Sequence, residues 1–137
     1  MAAHEDRLRK SAATLALLLE EELDLLRQLT EFELGRFLLR SRGLNGYWTA
    51  WLILHGPELA QHPLEQWLVH EAPTVCATRE RFGIFRQQLN AALRPGASLC
   101  SVPCGLMDDL LGLDDEAFPD LSLTGIDPDP DSLQLAA

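Results

Sequence analysis

The C-terminal third of the chain lacks basic residues. Residues 95–137 hold nine acidic side chains and no Lys or Arg, whereas residues 1–94 hold 12 acidic and 11 basic side chains. Most of the formal net charge of -10 therefore lies in the C-terminal stretch. Such a stretch repels a phosphate backbone, and the bases elsewhere form no stripe, which argues against nucleic acid as a partner.

The sequence also lacks a long apolar run. The longest uncharged stretch, residues 43–57, has 15 residues and contains polar side chains, so it is too short to span a bilayer. The N-terminus carries Glu5 and Asp6 where an export signal has basic residues. We therefore predict a cytoplasmic protein without a membrane segment.

Cysteine is scarce. Cys76, Cys100 and Cys104 are an odd number, and a chain of 137 residues with 47% hydrophobic residues does not need disulfides to form a core. No third Cys and no His lies close enough in the sequence to complete a zinc site with Cys100 and Cys104. We therefore predict reduced thiols and no bound metal.

Helical periodicity dominates the first part of the chain. From Glu5 to Leu29 apolar residues recur at steps of three and four, which predicts one amphipathic helix. Thr30 and Glu33 match a capping box, which predicts that a second helix begins at Thr30 and ends near Arg40. Three more helices are predicted over residues 47–54, 63–70 and 73–94, and Gly56-Pro57 is expected to stop the first of these.

The pattern changes after Arg94. Residues 97–102 are a short apolar run bounded by turn residues, which predicts a buried strand, and residues 121–126 predict a second strand. A short helix from Asp108 is predicted after the first strand, and a helix from Asp131 to Ala137 after the second. This order predicts an α/β fold, with about five helices followed by the opening β-α-β of a doubly wound parallel sheet.

The end of the first predicted strand is the expected ligand site, since open parallel sheets bind ligands beyond the carboxyl ends of their strands. Asp127 follows the second strand, 22 residues after Gly105, where a carboxylate can accept ribose hydroxyls. A dinucleotide needs GxGxxG, but this turn has one glycine and is followed by Asp108 and Asp109, which oppose a pyrophosphate. S-adenosylmethionine has no phosphate and carries cationic groups, so it suits the turn better.

At these residues the sequence resembles the class I S-adenosylmethionine-dependent methyltransferases. The resemblance rests on LCSVPCGLMDDLL at residues 99–111 and LTGID at residues 123–127, which are similar to the family's first two motifs. It implies a Rossmann-like domain that binds S-adenosylmethionine as methyl donor. The cofactor-binding residues that it implies are Pro103, Cys104 and Gly105 near the methionine part, Leu106, Asp108 near the ammonium, Asp127 on the ribose, and Pro128 near the adenine.

The chain departs from the family at several positions. The family usually has an acid where Ser101 stands, and glycines where Pro103 and Met107 stand. The family's third to seventh strands have no counterpart. The resemblance therefore implies the truncated N-terminal part of such an enzyme, with residues 1–94 as a helical lid and acceptor region and residues 95–137 as the start of the donor-binding domain.

A group of large aromatic residues precedes this region. Tyr47, Trp48 and Trp51 are candidates for the wall of an acceptor pocket, and Arg79 is a candidate partner for a carboxylate of the donor or acceptor. The alternative for the three rings is a place in the core. The alternative for Arg79 is a solvated basic face.

Two functions are predicted. The first is methyl transfer to a small-molecule acceptor, and His55 or His70 could act as the base, unless both are ordinary surface histidines. The second is a catalytically silent self-association module, because two lone strands expose unpaired edges that favour a homo-oligomer. The sequence defines neither the acceptor nor the atom that would be methylated.

Overall fold

A computed structural model describes residues 1–41, 43–113 and 120–136 of the chain, and most of them are helical. The helices are α1 Ala2–Lys10, α2 Leu19–Gln28, α3 Glu33–Arg40, α4 Gly46–Ala50, α5 Gly56–Leu59, α6 Pro63–His70, α7 Pro73–Ala92, α8 Asp108–Leu111 and α9 Pro130–Ala136. The strands are β1 Ser98–Ser101 and β2 Ser122–Gly125. The order confirms a helix-rich α/β fold.

The chain divides into two compact units. The first comprises Met1–Gly43 and Gln61–Glu65, and the second comprises Leu44–Ala60 and Gln66–Ala137. The second unit therefore combines α4, α5 and α7 with both strands. The assignment of residues 1–94 to a helical lid and residues 95–137 to a donor-binding domain stays a prediction.

In the first unit, α1 contacts α2, and the buried side chains include Leu26, Phe32 and Leu34. The His62 ring stacks on Phe32, with ring centroids 5.0 Å apart. Its Nε2 lies 3.1 Å from the Glu31 carboxylate. These contacts fix the segment before α6 against the start of α3.

The prediction of one helix from Glu5 to Leu29 is wrong. The backbone is extended at Leu15 and Leu18, where ψ is 147° and 145°. The Thr14 hydroxyl donates to the Ser11 carbonyl over 2.9 Å, which offers the backbone a turn instead of a helix. A new helix then begins because the Glu21 carboxylate accepts the Leu18 N–H over 2.9 Å.

The predicted capping box is also wrong. The Thr30 hydroxyl donates to the Arg27 carbonyl over 2.6 Å, so it serves the C-terminal end of α2 rather than the start of α3. Helix α3 begins at Glu33 after Phe32, whose backbone is extended. The predicted end at Arg40 is confirmed.

The predicted stop at Gly56 is wrong as well. Helix α4 continues through a π-helical turn, Trp51–His55, directly into α5. Gly56 is buried, and a Cβ atom there would lie 3.0 Å from both Trp51 and Val69. Gly56 is therefore used for close packing rather than to end the helix. The predicted α6 and α7 are confirmed, with α7 ending at Ala92 instead of Arg94.

The two strands pair in parallel, with Ser98 opposite Ser122 and Ser101 opposite Gly125. The prediction that the first strand is buried is wrong, because exposed residues alternate with half-buried ones in β1, and β2 shows the same alternation. Helix α9 begins one residue before Asp131, and its predicted end at Ala137 lies outside the described residues. A doubly wound methyltransferase sheet stays a prediction.

Candidate functional site

The strand-end turn, residues 102–107, connects β1 to α8. The Cys104 N–H donates to the Ile126 carbonyl over 3.0 Å, which holds the turn beside the end of β2. Gly105 and Met107 have positive φ angles of 52° and 60°. Glycine adopts this backbone at little cost, which accounts for Gly105 in the turn.

The Asp127 carboxylate lies directly against the strand-end turn. One oxygen accepts the Gly105 N–H over 2.8 Å, and the other accepts the Asp129 N–H over 2.9 Å. An ionised carboxylate has about four acceptor positions, so these two bonds leave capacity for further donors. Asp127 is half-buried, and so remains accessible from one side.

Asp129 has a different task from Asp127. It precedes α9, and its carboxylate accepts the Asp131 N–H over 3.3 Å and the Ser132 hydroxyl over 2.6 Å. The bond from the Asp131 N–H is that of an N-terminal helix cap, and the bond from Ser132 joins two side chains. Asp127 therefore does not cap α9.

Ser132 and Gly46 join the start of α4 to this arrangement. The Gly46 N–H donates to the Ser132 hydroxyl oxygen over 3.2 Å. A Cβ atom on Gly46 would lie 2.6 Å from that oxygen and 2.8 Å from the Gly105 Cα. Only glycine permits this approach of two backbones, so the first residue of α4 packs directly on the strand-end turn.

Neither Gly46 nor Ser132 is predicted as a site residue from the sequence. Asp129 before Pro130 is an N-cap signal for α9, but that signal gives no role to Ser132. No local sequence pattern indicates that position 46 must be glycine. The requirement comes from Ser132, which lies 86 positions away in the sequence and leaves no room for a side chain at Gly46.

Cys104 is buried under the turn. A Cβ atom on Gly125 would lie 2.9 Å from its Sγ and would also collide with the Met107 sulfur. Burial, and next the neighbouring Asp127 carboxylate, raise the pKa of the Cys104 thiol above its ordinary value of 9.0. The thiol therefore stays protonated at neutral pH and acts as a small packing group rather than a nucleophile.

The acids at the start of α8 lie in different surroundings. The Asp109 carboxylate accepts the Ser101 hydroxyl over 3.2 Å, at the end of β1. Asp108 is the first residue of α8 and is half-buried. A carboxylate thus stands beside Ser101 at the end of β1.

The other predicted cofactor residues frame the same end of the sheet. Leu106 is half-buried in the turn, while Pro103 and Pro128 are exposed and follow β1 and β2. The structure therefore brings the seven predicted cofactor residues to one end of the strand pair.

The aromatic cluster, Tyr47, Trp48 and Trp51, is brought together by α4 and the π-helical turn. Tyr47 and Trp48 meet edge to face with ring centroids 5.1 Å apart, and Trp48 and Trp51 do the same at 5.6 Å. Tyr47 is exposed and the two Trp side chains are half-buried. The cluster begins one residue after Gly46, and hence next to the strand-end turn.

Arg79 is engaged elsewhere. Its guanidinium donates to the carbonyls of Leu52, Ile53 and Val69 over 2.8, 3.3 and 2.9 Å. Carbonyls in a π-helical turn lose their usual helical partners, and Arg79 supplies replacements. Its observed bonds therefore give it a structural task instead of the predicted carboxylate pairing. His55 and His70 are both exposed.

Within the described ranges, no group of three or more His, Cys, Asp or Glu side chains is arranged to hold a metal ion. Among the same residues, no helix is long and apolar enough to cross a membrane.

Comparison with known proteins gives a structural relative. No protein-family model and no curated protein matches the chain. Among solved structures, the crystal structure of a possible exported protein from Bordetella parapertussis is similar, with 44% identity and a TM-score of 0.85. The match covers 96% of this chain and 44% of the other, so this chain spans less than half the length of that protein.

The likeness shows that this chain has the fold of the corresponding part of the Bordetella protein. The name of that protein mentions export and no chemical activity. The cytoplasmic location of this chain therefore stays a prediction, as does any catalytic activity.

Proposed function

We propose that this chain carries the donor-binding part of an S-adenosylmethionine-dependent methyltransferase that acts on a small-molecule acceptor. The observation that carries the proposal is the Asp127 carboxylate, held by the Gly105 and Asp129 N–H groups and still open to further donors. A carboxylate fixed in this way at the end of a second parallel strand suits the two hydroxyls of a ribose.

The charge around the turn favours this donor over a nucleotide. Asp108, Asp109 and Asp127 are all half-buried near the end of the strand pair. Carboxylates at close range favour the donor's ammonium and sulfonium and oppose phosphate groups. When bound, S-adenosylmethionine supplies an electrophilic methyl group, and its transfer to an acceptor nucleophile breaks the methyl–sulfur bond and leaves S-adenosylhomocysteine.

In this proposal the residues of the chain bind and orient rather than react. Gly105 holds the Asp127 carboxylate through its N–H, and Asp127 receives the ribose. The aromatic cluster forms the acceptor side because it begins beside the turn and Tyr47 exposes its ring. Alignment of the acceptor nucleophile with the methyl group is the main contribution to rate. The proton that the acceptor loses passes to a base or to water.

The test is calorimetric titration of S-adenosylhomocysteine into the chain. We expect binding by the wild type, and a loss of affinity of about 100-fold for Asp127→Ala, since two hydrogen bonds to a charged group are removed. Asp131→Ala is the matched control, because it removes the same charge from an exposed position four residues away. Asp127→Asn keeps the side-chain shape and reports on folding.

A dinucleotide serves as the competing ligand. NAD should not bind, because the turn has one glycine and is followed by acids. A wild-type chain that takes up NAD but not S-adenosylhomocysteine, or one that binds neither, would overturn the proposal.

A second candidate function is self-association, and a separate observation supports it. Val102 and Ile126 follow the ends of the two strands and are 64% and 54% exposed. Two-stranded sheets need cover, and a second copy of this chain would supply it. Sedimentation over a hundredfold range of concentration tests this, and a chain that remains monomeric throughout rules it out.

A further inference from the structure

A continuous series of hydrogen bonds links the start of α4 to the strand-end turn. It runs from Gly105 to Asp127, from Asp127 to Asp129, from Asp129 to Ser132, and from Ser132 to Gly46. The first and last members are also in contact, because a Cβ atom on Gly105 would lie 3.4 Å from the Gly46 Cα. The series therefore closes on itself through packed backbone.

Ser132 is the side chain on which the link to α4 depends. It is 1% exposed, so water does not replace its partners. Its hydroxyl has one hydrogen, which goes to Asp129, and the oxygen then accepts the Gly46 N–H. Donation to a carboxylate strengthens the oxygen as an acceptor, because bonds in such chains polarise one another.

A helix cap alone does not account for this arrangement. The Asp129 carboxylate caps α9 by accepting the Asp131 N–H, and that bond requires neither the Ser132 hydroxyl nor the N–H of a residue in another helix. The Gly46 bond is additional, and it requires a glycine because of the distances to Ser132 and Gly105. Its effect falls on α4, which carries the aromatic cluster.

We propose that Ser132 is a positioning residue that holds α4 and its aromatic cluster against the strand-end turn, so that donor binding and the placement of Tyr47 and Trp48 are coupled. The inference rests on the proposed function, since it concerns the same donor. Ser132 acts through Gly46 and Asp129 and does not itself touch the donor.

The test compares Ser132→Ala with Ser98→Ala, which removes a hydroxyl from an exposed strand position. Two quantities are measured in the full chain: the dissociation constant for S-adenosylhomocysteine, and the near-UV circular dichroism of the edge-to-face rings. We expect Ser132→Ala to bind about tenfold more weakly, because the half-buried Gly46 N–H loses its partner. We also expect it to change the aromatic signal before any donor is added.

Further variants separate positioning from stability. Ser132→Thr keeps the hydroxyl, and we expect it to restore much of the affinity and the aromatic signal. Gly46→Ala disrupts the same contact from the α4 side, because its Cβ atom would lie 2.6 Å from the Ser132 hydroxyl oxygen, and it leaves the sequence of α9 unchanged. It keeps the idea testable if Ser132→Ala does not fold. We expect the double variant to bind little worse than the weaker single variant, since the two changes break one contact.

The outcomes distinguish this inference from the function on which it rests. A wild-type chain that binds no S-adenosylhomocysteine overturns the proposed function and this inference with it. A wild-type chain that binds, beside a folded Ser132→Ala with unchanged affinity and unchanged aromatic signal, overturns this inference alone.

Discussion

The strand-end turn and the first three helices are held together in different ways. In the turn, the hydrogen bonds join residues far apart in sequence, 22 positions for Gly105–Asp127 and 86 for Gly46–Ser132. In the helices, the ion pairs Asp6–Lys10 and Asp24–Arg27 join residues four and three positions apart, and their side chains are largely exposed. The turn is a tertiary construction, whereas the polar contacts of the helices are local.

The difference has energetic consequences. Exposed ion pairs contribute about 0.2–1 kcal/mol, whereas leaving a buried group without its partner costs about 1–3 kcal/mol. The first helices must therefore draw their stability from apolar packing. The turn draws it from polar contacts that single substitutions can remove.

The largest expected effect is in the core of the first unit. Leu34 is 1% exposed, and Leu34→Ala should lower the free energy of unfolding by about 2–5 kcal/mol through lost burial and a cavity. Leu18 is 73% exposed, and Leu18→Ala should change the free energy of unfolding by less than about 0.5 kcal/mol. Urea denaturation of both variants measures the difference. Equal losses would show that apolar packing does not distinguish the two positions.

The next effect sharpens the contrast between glycines in the turn and in a helix. Gly105 has a positive φ, so Gly105→Ala should cost about 1–2 kcal/mol in unfolding free energy. Gly83 lies within α7 with nothing within 4 Å of an added Cβ, so Gly83→Ala should stabilise the chain by about 0.5–1 kcal/mol. Thermal or urea unfolding should show shifts of opposite sign. Shifts of the same sign would contradict the conformation assigned to Gly105.

Cys104 tests the electrostatics of the turn. In a Cys76→Ser, Cys100→Ser variant, Cys104 should react with a thiol reagent more slowly in the folded chain than in urea. Its raised pKa lowers the thiolate fraction at any pH below that value, and burial limits access as well. The difference in rate should therefore persist at neutral pH, because the raised pKa of Cys104 keeps its thiol protonated there. Equal rates in both states at neutral pH would contradict burial of the thiol.

The smallest effect is expected for a local ion pair in α1. Lys10 and Asp6 lie 2.6 Å apart with side chains 74% and 63% exposed. Lys10→Ala should lower the unfolding free energy by no more than about 0.5 kcal/mol, and high salt should reduce that loss further. A loss that exceeds that of Gly105→Ala would reverse the comparison between the two regions.

The sequence predicted the regular elements better than their ends. Pro63–His70 was predicted residue for residue, since proline starts the helix and the apolar spacing continues it. Thr30 was misplaced because its hydroxyl has two backbone partners within reach, and the sequence does not show which one packing leaves available. The prediction that Gly56 ends a helix was wrong because Gly56 packs against Trp51 and Val69, and the position of Val69 depends on how α6 packs.

The candidate site divides in the same way. Gly105 and Asp127 could be found from the turn, the strands and their spacing. The structure decided that Asp127 accepts the Gly105 N–H and that Asp129 caps α9, although both acids follow the same strand. It also placed Arg79 on backbone carbonyls, which no sequence pattern indicated.

By itself, the sequence determined the order of helices and parallel strands, the acidic character of the strand ends and the position of the turn, because periodicity, charge and glycine act over a few residues. Only the tertiary structure decided that α4 packs on the turn through Gly46 and Ser132. Gly46 and Ser132 lie 86 positions apart in the sequence. Their contact is possible because Gly46 has no side chain, which lets its backbone pack directly on that of Gly105.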